Sequence, residues 1–153
     1  LDLARRAEAG IRAGDARTWI PTLEAEQANL RAAIAWHLAR GRAEATLQLC
    51  NALWWYWRLR GSWLEAIRWL EAAIAMSDPA AAPSKPLAVA WLYLGNSIFD
   101  DQLRAQACYE ESLRLFEALG DVGGIAVVIG SLAMLADVMG DYDRGKALVQ
   151  RSL

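Results

Sequence analysis

Three segments of this chain align without a gap: GSWLEAIRWLEAAI from Gly61, DDQLRAQACYEESL from Asp100 and GDYDRGKALVQRSL from Gly140, with starts 39 and 40 residues apart. Each has a small residue in its sixth place (Ala66, Ala105, Gly145) and a small-then-aliphatic pair at its end (Ala73-Ile74, Ser112-Leu113, Ser152-Leu153). Small residues at fixed places let two helices approach closely, while the larger ones fill the space beside them. A motif that recurs at a fixed period is one supersecondary unit stacked on its neighbours, so the pattern predicts a series of similar helical hairpins.

The rest of the chain agrees with an all-α fold. Helical periodicity runs almost end to end, and no stretch alternates as a strand does. The breaks are short: Gly14-Asp15, Gly41, Gly61, the loop from Asp78 to Pro86, Asp100-Asp101, Gly120-Asp121 and Gly140-Asp141. Between them lie elements of ordinary helix length, about 12 to 20 residues. Ser62-Trp63-Leu64-Glu65 fits a capping box and predicts a helix start. At 153 residues the chain is one domain's worth. Hydrophobic residues make up 56% of it, yet no apolar run nears the roughly 20 residues of a membrane span. A start at Leu1 rather than Met, and an end inside a periodic segment, read as a piece of a longer protein.

Charge and chemistry-bearing residues narrow the function classes. A net charge of −2, a pI near 5.4 and scattered basic residues lack the electrostatic footprint of a nucleic-acid binder. Cys50 and Cys108 sit far apart in apolar helical patterns and read as reduced core residues, which points to the cytoplasm. Gly140-Asp-Tyr-Asp-Arg-Gly145-Lys146-Ala147 comes close to a phosphate loop. That motif needs a preceding strand and a metal-binding Ser or Thr after the lysine, whereas a helix precedes this segment and Ala147 has no oxygen to offer. The repeat alignment explains both glycines, one as a turn and one as a close-packing position. His37 is the only histidine and has no second ligand to complete a zinc site. Asp100-Asp101 and Glu110-Glu111 diverge from each other on a turn or helix and read as solvated surface charge. The sequence therefore predicts no catalytic residues, no metal site, no cofactor and no enzymatic activity.

The repeats resemble the tetratricopeptide family. Trp91-x-x-Leu94-Gly95-x-x-Ile98 is close to its W-x-x-L-G-x-x-Y pattern, and Ala105, Tyr109 and Ser112 match its small–aromatic–small positions. The first repeat shows Leu53, Trp57, Gly61, Trp63, Ala66, Leu70 and Ala73 at corresponding places. The third shows Leu132, Ala133, Ala136, Gly140, Tyr142, Gly145 and Ser152. The period near 40 exceeds the usual 34 and overlaps the HEAT and armadillo range, Trp54 stands where the family has a small residue, and the second repeat lacks a Gly-x-aromatic turn. The resemblance implies a right-handed superhelix of antiparallel hairpins, a solenoid of about eight helices. As one domain over 1–153, it divides into an atypical first hairpin at 1–40 and repeats at 43–77, 86–119 and 121–153.

A narrower resemblance comes from the first 75 residues and covers nearly the whole chain. Leu23, Glu26, Asn29, Leu30, Arg31, Ala32, Ala33, Ile34 and Trp36 match the L-x-x-E-x-x-N-L-R-A-A-L-x-W run that opens the sensor repeats of LuxR-type and AfsR-type bacterial signal-transduction ATPases. Relatives of the maltose-regulon activator belong to that group. Leu119-Gly120-Asp121-x-x-Gly124-Ile125-Ala126 is similar to the link between its repeats. The likeness implies a non-enzymatic sensor or partner-binding region of a transcriptional regulator, taking a protein, a peptide or a small effector.

The stretch Trp54-Trp55-Tyr56-Trp57 divides on this frame. Trp54 and Trp57 fall on the face toward the partner helix. Trp55 falls on the stripe Gln48, Asn51, Trp55, Arg58, spaced i, i+3, i+7, i+10. In the family this stripe of each first helix lines the concave surface. Its equivalents are Val89, Leu92, Asn96 and Phe99, then Val127, Gly130, Met134 and Asp137. The implied groove residues are Gln48, Asn51, Trp55, Arg58, Leu92, Asn96, Phe99, Met134 and Asp137. Amides and arginine bond a peptide backbone or carboxylate, while aromatics give rigid apolar contact. The competing expectation has Trp55 covered by Arg58 or by the preceding hairpin. A second functional reading is self-association without a small ligand. A homodimer would then form through the C-terminal hairpin, where Leu148, Val149 and Leu153 continue an apolar pattern without a polar end cap.

Overall fold

The computed structural model describes residues 1–78 and 80–151, except for the side chains of residues 148, 149 and 151. Among these the chain is all-helical, with nine α-helices and no strand: α1 (Asp2–Arg12), α2 (Ala16–Ala25), α3 (Gln27–Ala39), α4 (Ala43–Arg60), α5 (Trp63–Ala75), α6 (Lys85–Ser97), α7 (Gln102–Leu119), α8 (Val122–Val138) and α9 (Tyr142–Arg151). The helices group into two compact units, residues 1–80 and 81–153. None of the helices is long and apolar enough to cross a membrane.

The count exceeds the expected eight because the second arm of the first hairpin is broken. Pro21 lies inside α2 and has no N–H for the carbonyl of Arg17. At Glu26 the backbone leaves the helical region, with φ −95° and ψ 3°. Asn29 then donates to the Glu26 carboxylate at 2.8 Å, and α3 resumes.

In the first unit, α1 runs parallel to α4. Two contacts fix the direction: Arg5 donates to Gln48 at 2.9 Å, and the Arg12 guanidinium stands over Trp55. Ala4, Ala7 and Ile11 form the buried stripe of α1, where the two alanines allow close approach. On its other side α4 packs on α3 and α5, with Leu53 and Trp57 beside Leu30 and Ile34 of α3; Leu53, Trp54 and Trp57 are each no more than 3% exposed. Burial of such large side chains stabilises by about 1.5–3 kcal/mol each. The second arms are tied by Arg31 of α3, which grips Glu65 of α5 through two bonds of 2.6 and 2.7 Å.

That tie changes the expected start of α5. The helix begins at Trp63, next to Ser62, but Ser62 makes no side-chain cap. Glu65 belongs to Arg31 and also accepts from Trp69 Nε1 at 3.4 Å, so it does not reach back. A bidentate charge-assisted pair outcompetes a neutral capping bond. The Arg31 guanidinium holds the Glu65 carboxyl below its usual pKa.

The second unit repeats the plan. In the α6–α7 hairpin, Tyr109 donates to Asn96 at 2.9 Å, and Ser112 donates to the Ala88 carbonyl at 2.7 Å. A Cβ on Gly95 would stand 2.6 Å from the Tyr109 ring, so the glycine of the W-x-x-L-G motif sets the distance between these helices. At Gly145 the approach of α8 and α9 is looser: a Cβ would meet the Ala133 carbonyl at 3.5 Å, ordinary contact, and would displace only the end of the exposed Asp137 side chain. A helix, α8, precedes the near phosphate loop. Here too an arginine ties second arms, Arg144 of α9 donating to Gln106 and Glu110 of α7 at 3.2 and 3.3 Å.

Candidate functional site

The stripe of α4 is the best-built part of the expected surface. Gln48, Asn51 and Trp55 are half-buried and Arg58 is exposed. Gln48 bridges two helices, accepting from Arg5 of α1 and donating to Glu44 at 3.0 Å. Trp55 meets Trp54 edge-on, with ring centroids 5.3 Å apart. Guanidiniums from two helices cover it, Arg58 at 5.0 Å and Arg12 at 5.9 Å from the ring centroid. The covering by the preceding hairpin therefore occurs, in the form of one cation from α1 beside one from α4.

Polar satisfaction is incomplete here. Trp55 Nε1 is buried, yet among the described residues it has no hydrogen-bond partner. An unmade bond of this kind costs about 1–3 kcal/mol, so the site gains when an acceptor arrives. Glu8 of α1 lies between Arg5 and Arg12, with Arg12 Nη1 3.7 Å from its carboxylate. Burial pushes the Glu8 carboxyl up and outweighs the pull of Arg12. The site thus combines a flat indole, a donor awaiting an acceptor, and two guanidiniums that stack without folding their N–H groups away.

The other expected residues lie in the second unit. Leu92 is 5% exposed and is part of the core. Asn96 is half-buried, and its side-chain oxygen already accepts from Tyr109. Phe99, just beyond the end of α6, is exposed, as are Met134 and Asp137 on α8. Asp137 borders an open cleft of about 330 Å³ with Ala133, Gly145, Lys146 and Gln150. Val127, Met134 and Val138 share one apolar stripe of α8, and a Cβ on Gly130 beside them would meet nothing within 4 Å. The stripe of α8 is thus open and apolar where that of α4 is covered and polar. The expected dimer residues Leu148, Val149 and Leu153 lie outside the described side chains.

Sequence reasoning missed Arg5, Glu8 and Arg12. Their spacing of i, i+3, i+7 is the spacing of Gln48, Asn51 and Trp55, and that signal in an unmotifed first hairpin could have found them.

Burial raises the Cys50 thiol to about 12, which leaves it un-ionised and unreactive. Cys50 and Cys108 are both buried, and neither is in a disulfide. Among the described residues no three of His, Cys, Asp and Glu come together as metal ligands. No protein-family model and no curated protein matches this sequence.

Proposed function

We propose that this chain is a non-enzymatic helical-repeat module, a solenoid of the tetratricopeptide type that binds a ligand or partner through the stripes of its first arms. The observation that carries this reading is Trp55: half-buried, flanked by Arg12 and Arg58, and holding a buried indole N–H that has no acceptor among the described residues. A peptide carbonyl or a carboxylate would satisfy that donor while the arginines fix its orientation. Placed in a bacterial multidomain regulator in the cytoplasm, as the resemblance implies, such a module acts as the sensor or partner-binding arm. Ligand binding then biases the parent protein between two arrangements by no more than its preference for one of them.

The test is tryptophan fluorescence during titration with fractionated bacterial metabolites and short peptides, with light scattering alongside. A saturable change that disappears in Trp55→Ala, while thermal stability drops only slightly, is the expected result. Trp55→Ala that unfolds the first unit would reassign this side chain to the core and remove the basis of the reading.

Self-association is the second reading, and the open stripe Val127, Met134 and Val138 on α8 favours it. It predicts a concentration-dependent mass with no fluorescence response to any fraction, and a mass that returns to the monomer value in Met134→Lys.

A further inference from the structure

The corner between α3 and α4 departs from the others in a way that packing does not require. Gly41 adopts the left-handed conformation, φ 66°, and closes a Schellman turn: Arg42 N donates to the His37 carbonyl at 3.1 Å and Gly41 N to that of Leu38 at 3.1 Å. The same turn ends α1, α4, α7 and α8, where the residue after the glycine is Asp15, Ser62, Asp121 or Asp141. Those four are residue types that cap the N-terminus of the following helix, and Asp121 and Asp141 do so, accepting from Gly124 N and Arg144 N. At the α3–α4 corner that place is taken by Arg42, which makes no side-chain cap. Asp15 and Ser62 make no side-chain cap either, so what sets this corner apart is residue type: a cation that cannot cap stands where the other four corners carry Asp or Ser.

What Arg42 does instead is visible. In a Schellman turn the residue after the glycine normally makes an apolar contact with a residue one turn back in the helix. Here that partner is Trp36, and Arg42 lays its guanidinium over the ring, 4.6 Å from the centroid. Arg40, four residues beyond Trp36 at the C-cap of α3, brings a second guanidinium to 4.1 Å. The His37 ring stands edge-on to Trp36 at 5.0 Å, and its Nδ1 is buried with no hydrogen-bond partner among the described residues. Neither guanidinium has a carboxylate partner among the described residues. Two cations are therefore held on one indole in spite of mutual repulsion, and among the described residues neither is paired with a carboxylate.

We propose that Trp36, His37, Arg40 and Arg42 form a binding site for the phosphate group of a small molecule, separate from the stripe that carries Trp55. The charge match selects the class. A carboxylate brings one negative charge and fills one guanidinium fork. A phosphate monoester brings nearly two charges at neutral pH and three acceptor oxygens, enough for both forks and for a further donor. Stacking on the indole orients the guanidiniums in advance, so less freedom is lost when the anion binds.

The experiment uses the whole chain at pH 7.5 and constant ionic strength, with the indole N–H resonances assigned by Trp36→Phe. Inorganic phosphate is titrated first, then glycerol phosphate and acetate, with chloride as the screening control. Saturable movement of the Trp36 signal with both phosphates, and none with chloride or acetate, is expected. Arg42→Ser and Arg40→Gln should each weaken phosphate binding about tenfold, the loss of one charge-assisted contact. Arg42→Ser restores a capping residue, so this variant keeps the fold and its melting temperature should not fall. The site is overturned if Trp36 does not move, if chloride moves it equally, or if phosphate binds Arg42→Ser and Arg40→Gln as well as the parent. The two arginines would then serve only to cover Trp36. Binding of inorganic phosphate without glycerol phosphate would overturn the small-molecule ester and leave the free ion as the ligand.

Discussion

The two units build the same hairpin and finish its outer surface in opposite ways. Residues 1–80 hold seven of the chain's eight tryptophans, and all seven arginine–tryptophan contacts among the described residues fall there. Aromatic edges too large to bury are covered by guanidiniums whose stems shield apolar surface while their N–H groups stay wet. On α8 of the second unit the corresponding places carry Val127, Gly130 and Met134, and nothing of the kind covers them. The hairpin thus fixes where a stripe lies and leaves its chemistry free. The first unit offers directional donors and positive charge, and the second offers non-directional apolar contact.

The largest effect expected separates core from stripe. Trp57 is 2% exposed and Met134 is 61% exposed. Trp57→Ala should cost about 3–5 kcal/mol, the usual range for emptying an aromatic site. Met134→Ala should stay within about 0.5 kcal/mol. Chemical denaturation followed by circular dichroism measures both. The contrast between the units breaks if Met134→Ala costs as much as Trp57→Ala, because the stripe of α8 would then be packed rather than open.

Two glycines of the second unit sharpen the point at a smaller scale. Gly130 lies inside α8, where an added Cβ meets nothing, so Gly130→Ala should raise stability by about 0.5–1 kcal/mol through helix propensity alone. Gly95→Ala should lower it by about 1–3 kcal/mol, because the Tyr109 ring must move. A loss at Gly130 would mean that something rests on the open stripe, and the two units would then be alike after all.

Much of this was legible in the sequence, for physical reasons that particular residues show. Gly14, Gly41, Gly61, Gly120 and Gly140 announced the corners, since a left-handed turn needs them, and the small residues at 66 and 105 announced the close-packed arms. The stripe Gln48–Asn51–Trp55–Arg58 followed from helical spacing. Exposure did not follow, because it depends on neighbours that spacing along one helix does not name: Leu92 is buried, and Asn96 is engaged by Tyr109. The capping box at Ser62 read correctly as a helix start and wrongly as a bond, since Arg31, 34 residues away, claims Glu65. The break at Glu26 and the arginines of α1 lay in a hairpin without motif residues, where only the weak signal of charge periodicity was available.

The smallest effect expected tests whether the polar stripe of the first unit is charged at a cost. Two carboxylates of the first unit, Glu8 beside that stripe and Glu65 away from it on α5, move in opposite directions: burial raises Glu8, while Arg31 lowers Glu65, each from a reference near 4.5. For Glu65 the folded pKa lies below the unfolded one, so its stabilisation is present above about pH 4.5 and is lost as pH falls through the folded value. For Glu8 the sign reverses: its contribution is present below about pH 4.5 and is lost as pH rises through the raised folded value. Melting temperatures of Glu8→Gln and Glu65→Gln, each subtracted from the parent at several pH values between 3 and 7, isolate the two groups. The Glu8→Gln variant should gain on the parent as pH rises through the acidic range, and the Glu65→Gln variant should fall behind it. A flat Glu8 difference would mean that Arg5 and Arg12 fully compensate the carboxylate. The α1–α4 surface would then be a balanced salt network, and the positive charge assigned to it around Trp55 would have to be withdrawn.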